Sequence, residues 1–194
     1  MPGGVCPELW IRDNPGVIGE VQRAYFEAGS NIVYVPSFGA NPFKLEEFDA
    51  AGEVFELNRE LALISRKNAG THGLLFGDLA PTGKFVEPFG DLGFETAVNA
   101  YKEQVAGLLA GGVDGFIIET MMDIQEARAA LLAVRESCEL PVMVSMTFEP
   151  DGRTLTGNTP LSALITMQSL GADAFGCNCS TGPARMIEII RELK

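Results

Sequence analysis

The sequence is poor in the residues from which most metal and nucleotide sites are built. Its 194 residues hold one histidine, His72, and 14 basic side chains against 26 acidic ones, a net charge of −12. That balance argues against nucleic acid or an acidic membrane surface as partner, because nothing would offset phosphate repulsion. C-x-x-C, H-E-x-x-H, G-x-G-x-x-G and P-loop patterns are all missing, which removes the common zinc and nucleotide signatures. No apolar stretch approaches the ~20 residues of a membrane span, and Met1-Pro2-Gly3-Gly4 has no basic or apolar run of signal-peptide type. Four cysteines, Cys6, Cys138, Cys177 and Cys179, are too few for a disulfide framework in a chain of this length. The expectation is a cytoplasmic protein with reduced thiols. The rest of the composition is ordinary, with 46% hydrophobic and 21% charged residues, enough for one domain with a real core.

One junction recurs. Ala28-Gly29-Ser30-Asn31-Ile32-Val33, Gly111-Gly112-Val113-Asp114-Gly115-Phe116 and Leu170-Gly171-Ala172-Asp173-Ala174-Phe175 each close a helix at glycine, pass an Asn or Asp, and enter an apolar run. Apolar periodicity predicts helices over 17–28, 54–68, 95–110 and 123–135, a further one starting at Thr159-Pro160, and a last one over 184–193. Asp123 reads as an N-cap, with Glu126 completing a capping box. The predicted strands, 32–35, 74–79, 116–119, 142–147 and 174–179, are short and apolar, as strands buried on both faces must be. Alternating strands and helices give an α/β fold with a parallel sheet. A (β/α)8 TIM barrel needs ~250 residues, so residues 1–194 read as a single partial barrel domain carrying strands two to six of eight.

Parallel strands bring their C-terminal ends to one mouth. There the sequence places Ser37 and Phe38, Asp78, Glu119-Thr120, Ser145 to Thr147, and Asn178-Cys179. Two acids, an amide, hydroxyls and a thiol suit a small polar substrate. Strand-end Asp, Ser and Thr often only cap helices, but Glu119 follows Phe116-Ile117-Ile118, where Asp123 already caps. Cys179 opens a turn just before Pro183 starts a helix, a place that favours a thiolate. Cys177 and Cys179, two apart on a strand, should share one face about 6.6 Å apart, which puts Cys177 one layer down in the barrel interior. His72 precedes a strand and belongs to the opposite end; Cys138 reads as packing there. Met121-Met122 reads as packing, and Glu46-Glu47-Phe48-Asp49 as a solvated helix face.

These residues carry a resemblance. Gly176-Cys177-Asn178-Cys179-Ser180-Thr181-Gly182-Pro183 resembles the G-x-N-C-x-x-G-P motif of the homocysteine S-methyltransferase family. Ile118-Glu119-Thr120-Met121-Met122-Asp123 resembles its E-T-x-x-D element, and Phe38-Gly39-Ala40-Asn41 its T-F-G-A-N element, with Ser37 in place of Thr. Asp151-Gly152-Arg153-Thr154-Leu155-Thr156-Gly157 is similar to the loop after its fifth strand. The likeness is strongest to the homocysteine-binding barrel of the cobalamin-dependent members. It implies a zinc enzyme that moves a methyl group to the thiol of homocysteine, giving methionine. In that family three cysteines bind zinc and the substrate thiol takes the fourth position. Cys179 would be the first zinc ligand, Glu119 and Asn178 would grip the amino-acid end of homocysteine, and Ser37 would lie nearby. The implied methyl donor is a corrinoid, such as methylcobalamin on a partner domain or protein, or else betaine or S-methylmethionine. Tyr34, Phe38 and Trp10 could line a quaternary-ammonium site, though aromatic packing accounts for each.

This sequence also departs from the pattern. The family's Cys-Cys pair near the barrel's end and its Asp-Gly-x-x-Gly-Thr element are not in it, and Val35-Pro36 stands where many members have Thr-Asn. Two other readings remain at this stage. A truncated, non-catalytic barrel could self-associate through its open sheet edges or bind a partner. An unrelated TIM-barrel enzyme could act on another small polar substrate.

Overall fold

In the computed structural model, residues 3–69 and 73–194 are described. His72 lies outside them. Five parallel strands, β1 (Ile32–Tyr34), β2 (Leu74–Leu79), β3 (Gly115–Met121), β4 (Val142–Met146) and β5 (Ala174–Cys177), pair in chain order. The helices are α1 (Pro7–Asp13), α2 (Pro15–Glu27), α3 (Pro42–Glu46), α4 (Val54–Ala69), α5 (Phe94–Ala110), α6 (Ile124–Arg135), α7 (Pro160–Ser169) and α8 (Pro183–Leu193). The long helices and the strands fall where the sequence periodicity puts them, except that β5 ends at Cys177 and not at Cys179. Two short helices, α1 and α3, do not show in it, because one or two turns carry too few apolar positions to set a period. The acidic run near residue 46 is mostly exposed but forms the end of α3 and the turn after it, not a helix face.

The core lies between sheet and helices. Leu75 and Leu79 of β2, Phe116 and Ile118 of β3, and Val142, Val144 and Met146 of β4 are buried against α4, α5 and α6. Alternation turns the residues between them to the sheet's other face, which carries Tyr34, Phe76, Asp78, Ile117, Glu119 and Ser145. That inner face is incompletely covered: Tyr34 is 43% and Leu74 46% exposed. Among the described residues no helix is long and apolar enough to cross a membrane.

The recurring junction has a physical cause. Gly29, Gly112 and Gly171 all take positive φ, at 103°, 84° and 93°, the left-handed helix end that glycine adopts without strain. The acid that follows locks neighbouring units together. Asp114 accepts the Leu75 N–H at 2.8 Å and pairs with Arg66, whose guanidinium also donates to the Gly112 and Gly73 carbonyls. The next unit repeats this: Asp173 accepts the Val142 N–H at 2.8 Å and pairs with Arg135, which donates to the Gly171 and Leu140 carbonyls. The Val142 N–H and the Arg135 charge hold the Asp173 carboxyl below its usual range.

α4 and α5 touch at glycine. A β-carbon on Gly107 would run into the Phe55 carbonyl oxygen and come within 2.9 Å of the Asn58 β-carbon. On an exposed helix, glycine to alanine gains about 1 kcal/mol. Here the obstructing atom is backbone and cannot move aside, so overpacking of about 1–3 kcal/mol outweighs that gain. G107A is therefore expected to lower the thermal midpoint by several degrees, measured by circular dichroism.

Candidate functional site

The strand ends carry the site. β3 does not run straight through it: its register with β4 shifts between Ile118 and Met121, and Thr120 takes φ 62°. A β-branched residue in the left-handed region is strained. Thr120 is held there by Asn178, which follows β5. The Thr120 N–H donates to Asn178 Oδ1 at 3.1 Å, and Asn178 Nδ2 donates to Thr120 Oγ1 at 2.8 Å. The same amide reaches β4 and a second residue of β3. Ser145 Oγ donates to Asn178 Oδ1 at 2.8 Å, and Asn178 Nδ2 donates to Glu119 Oε2 at 3.1 Å. Thr147 Oγ1 donates to the Asn178 carbonyl at 3.2 Å. Asn178 thus fixes how the ends of β3, β4 and β5 meet.

Cys179 is exposed, 3.5 Å from Asn178 Nδ2 and 3.9 Å from Thr120 Oγ1 through its sulfur. Strict strand alternation would turn it away from Asn178. It does not, because β5 ends at Cys177, and Cys179 and Ser180 both take positive φ, 60° and 57°. Two successive left-handed residues aim the thiol back at the mouth.

The same break corrects the reading of Cys177. It does not lie one layer down in the barrel interior. It pairs with Met146 across β4 and packs with it in the helix-facing core, where burial pushes its thiol up. The two-residue spacing implied a shared face only if the strand continued, and it does not.

Ser37 is fully buried beside Asp78. Its hydroxyl donates to the Asp78 carbonyl at 2.8 Å and accepts the Asp78 N–H at 3.2 Å. Gln104 of α5 holds the Ser37 carbonyl at 2.8 Å. Ser37 thus braces the end of β2, and its hydroxyl is already engaged. Tyr34 faces this region from β1. Its phenol is raised by burial first, then by the charges of Glu119 and Asp78.

Glu8 went unread in the sequence. It sits on α1, is buried, and accepts the Gly39 N–H at 2.6 Å and the Cys6 thiol at 3.2 Å. Burial, more than Glu8, raises the Cys6 thiol. The Pro7 at the start of α1 was the available sign that a helix, and not a loop, brings Glu8 in.

Asp123 caps α6 as expected, accepting the Gln125 N–H at 2.9 Å. Glu126 does not close a capping box. It accepts from Thr82 N at 2.7 Å, Thr82 Oγ1 at 2.5 Å and the Tyr101 hydroxyl at 3.2 Å, and so pins the loop after β2. Burial raises its carboxyl, partly countered by those three donors.

The family sequence profile described as homocysteine S-methyltransferase matches residues 3–194. The chain belongs to the homocysteine S-methyltransferase family. Methionine synthases of Mycobacterium leprae (strain TN) and Mycobacterium tuberculosis (strain ATCC 25618 / H37Rv) are each 32% identical over 199 residues, covering 97% of this chain. The chain spans about a sixth of their length, 16% and 17%. The metallated form of the homocysteine methyltransferase MmuM from Escherichia coli superposes with a TM-score of 0.83 at 20% identity, covering 98% of this chain and 74% of that one. Its apo form gives 0.76 at 17% identity, covering 98% and 71%. The architecture is therefore that of a TIM-barrel wall. As a member of this family the chain raises the question of zinc. Its donor set at the mouth is one sulfur, Cys179, and among the described residues no three His, Cys, Asp or Glu side chains converge on a metal position. One thiolate is a single corner of a zinc tetrahedron.

Proposed function

We propose that this chain forms the homocysteine-binding side of a methyl-transfer centre whose product is methionine. The observation that supports it best is the single network running from Glu119 through Asn178 and Thr120 to the sulfur of Cys179. Glu119 offers negative charge for the substrate's ammonium group. Asn178 keeps Glu119 and Cys179 at a fixed separation, as an amino thiol with an ammonium at one end and sulfur at the other requires. Cys179, turned outward by its left-handed backbone, would give one sulfur to zinc, with the other ligands coming from outside these 194 residues. Bound zinc supplies the Lewis acidity that keeps a substrate thiol deprotonated near neutral pH. The methyl donor, in the likeness of the methionine synthases, would be a methylated corrinoid on another domain or protein. β1 and β5 are the edges of the sheet, and further strands would close it over Tyr34 and Leu74.

The test is methionine formation by the protein that carries these residues, with homocysteine and, in turn, methylcobalamin, betaine and S-methylmethionine. C179A is expected to abolish it while leaving the circular dichroism unchanged, and undiminished turnover in C179A would overturn the proposal. The 194-residue chain alone, with one sulfur to offer, is expected to hold substoichiometric zinc after dialysis. Tightly held, stoichiometric zinc in a monomer would contradict that.

A further inference from the structure

Thr120 and Cys179 meet at the mouth, one from β3 and one from the turn after β5, and both hold left-handed backbone, at φ 62° and 60°. For Cys179 the turn accounts for it, since the chain has left β5 and must come round. Thr120 lies within β3, where an extended residue would continue the strand freely. A β-branched side chain is among the worst suited to that conformation, and such strain collects at functional positions. In this strained conformation Oγ1 lies 2.8 Å from Asn178 Nδ2 and 3.9 Å from Cys179 Sγ.

The network also fixes which way the hydroxyl proton points. Asn178 Oδ1 accepts the Thr120 N–H, so the other end of the amide, Nδ2, is the one that meets Thr120 Oγ1. Nδ2 can only donate, so Oγ1 accepts there and keeps its own proton for another acceptor. Among the described residues the other polar atom within hydrogen-bond reach of Oγ1 is Cys179 Sγ. An ionised sulfur has no proton to give, so Thr120 donates and Cys179 accepts. Asn178 Nδ2, 3.5 Å from Sγ, faces the same sulfur.

A centre that methylates a thiol beside a cysteine has two sulfurs of one kind to choose between. If the Cys179 thiolate attacked the methyl carbon, a C–S bond would form and the donor would leave with the electron pair of the bond that breaks. Cys179 would end as a thioether, lost as a thiolate. A thiolate stabilised from outside is a poorer nucleophile, its reactivity falling with a slope of about 0.4–0.5. We propose that Thr120 is a positioning residue that sets specificity: its hydroxyl, donated to the Cys179 sulfur, keeps that cysteine from taking the methyl group meant for the substrate. This rests on reading the site as a methyl-transfer centre.

Methylation of the metal-free chain by methyl iodide tests this. The thiols are reduced, the reductant is removed, and the rate at each cysteine is read by peptide mass spectrometry on the alkaline plateau, where a thiol is fully ionised. T120V keeps the shape of the side chain and the N–H on Asn178 but has no hydroxyl, whereas T120S keeps the hydroxyl. T120V is expected to methylate Cys179 about threefold faster than the unaltered chain, and T120S at the unaltered rate. Cys138, which precedes β4 at the other end of the strands, is the reference and should not change. An unchanged Cys179 rate in T120V, a rise in T120S as large as in T120V, or a rise shared by Cys138 would overturn the proposal. No homocysteine enters this test, so its result stands apart from the homocysteine reading, which turnover in C179A decides. If T120V behaves as expected while C179A turns over undiminished, the hydrogen bond is real but its part in methyl transfer falls.

Discussion

N178A is expected to weaken homocysteine binding by roughly 100-fold or more, about 3 kcal/mol. The size follows from how many strands that one amide joins. Without it, the Thr120 N–H, the Ser145 hydroxyl and Glu119 Oε2 each lose a partner at once. Thr120 also loses what keeps it at φ 62°, and a relaxed Thr120 no longer presents its hydroxyl to Cys179. S145A is the graded control. It removes one of two donors to Asn178 Oδ1 and leaves the Thr120 contact in place, so it should cost no more than about tenfold. Calorimetric titration of both variants measures the ratio. Equal, small losses in the two would mean that Asn178 only packs.

E126A should have the largest effect on stability. Glu126 is buried at the start of α6 and receives three donors, two from Thr82 and one from Tyr101. Tyr101 is itself fully buried, its one hydroxyl proton shared between Glu126 and the Ala80 carbonyl, which lies 3.0 Å away. Truncation would strand the Thr82 N–H without water and leave a cavity beside the ring. Each orphaned buried donor costs about 1–3 kcal/mol, so a loss of about 3 kcal/mol and a fall of roughly 6–12 °C are expected. The pH dependence has a definite sign. Burial raises the Glu126 carboxyl above its unfolded value, so the folded state binds a proton more tightly than the unfolded chain does. The stability from that proton is complete below the unfolded carboxylate range. It is lost as pH rises through the higher folded value. E126Q cannot ionise and should flatten that part of the curve in denaturant titrations from mildly acidic to neutral pH. An unchanged curve would mean that the group titrates normally.

The legible parts of this fold were those set by local rules. Gly29, Gly112 and Gly171 had to be glycine because the backbone turns left-handed there, and the acid after each of the last two has its partner in the adjacent βα unit. The mouth residues were legible as a set, because parallel strands leave their ends on one side. What escaped depends on contacts distant in sequence. Glu126 reads as a capping residue from its spacing, but its partner Thr82 lies 44 positions away. Glu8 reaches the mouth from a helix of seven residues, too short to announce itself. Cys177 was turned to the wrong face because period-two reasoning holds only while the strand lasts, and β5 stops at that residue. The left-handed pair after it, which brings Cys179 round, has no glycine to signal it.

The arginine clamps at Asp114 and Asp173 sit where the strands begin, and the strained Thr120 and Cys179 where they end. The footing of this wall therefore does not depend on its rim. Upper loops can lengthen, shorten or change their chemistry without the lower ladder having to be rebuilt. Such a layout lets one scaffold carry different chemistry at its opening, and in hydrogen exchange the Leu75 and Val142 amides should outlast anything near the opening.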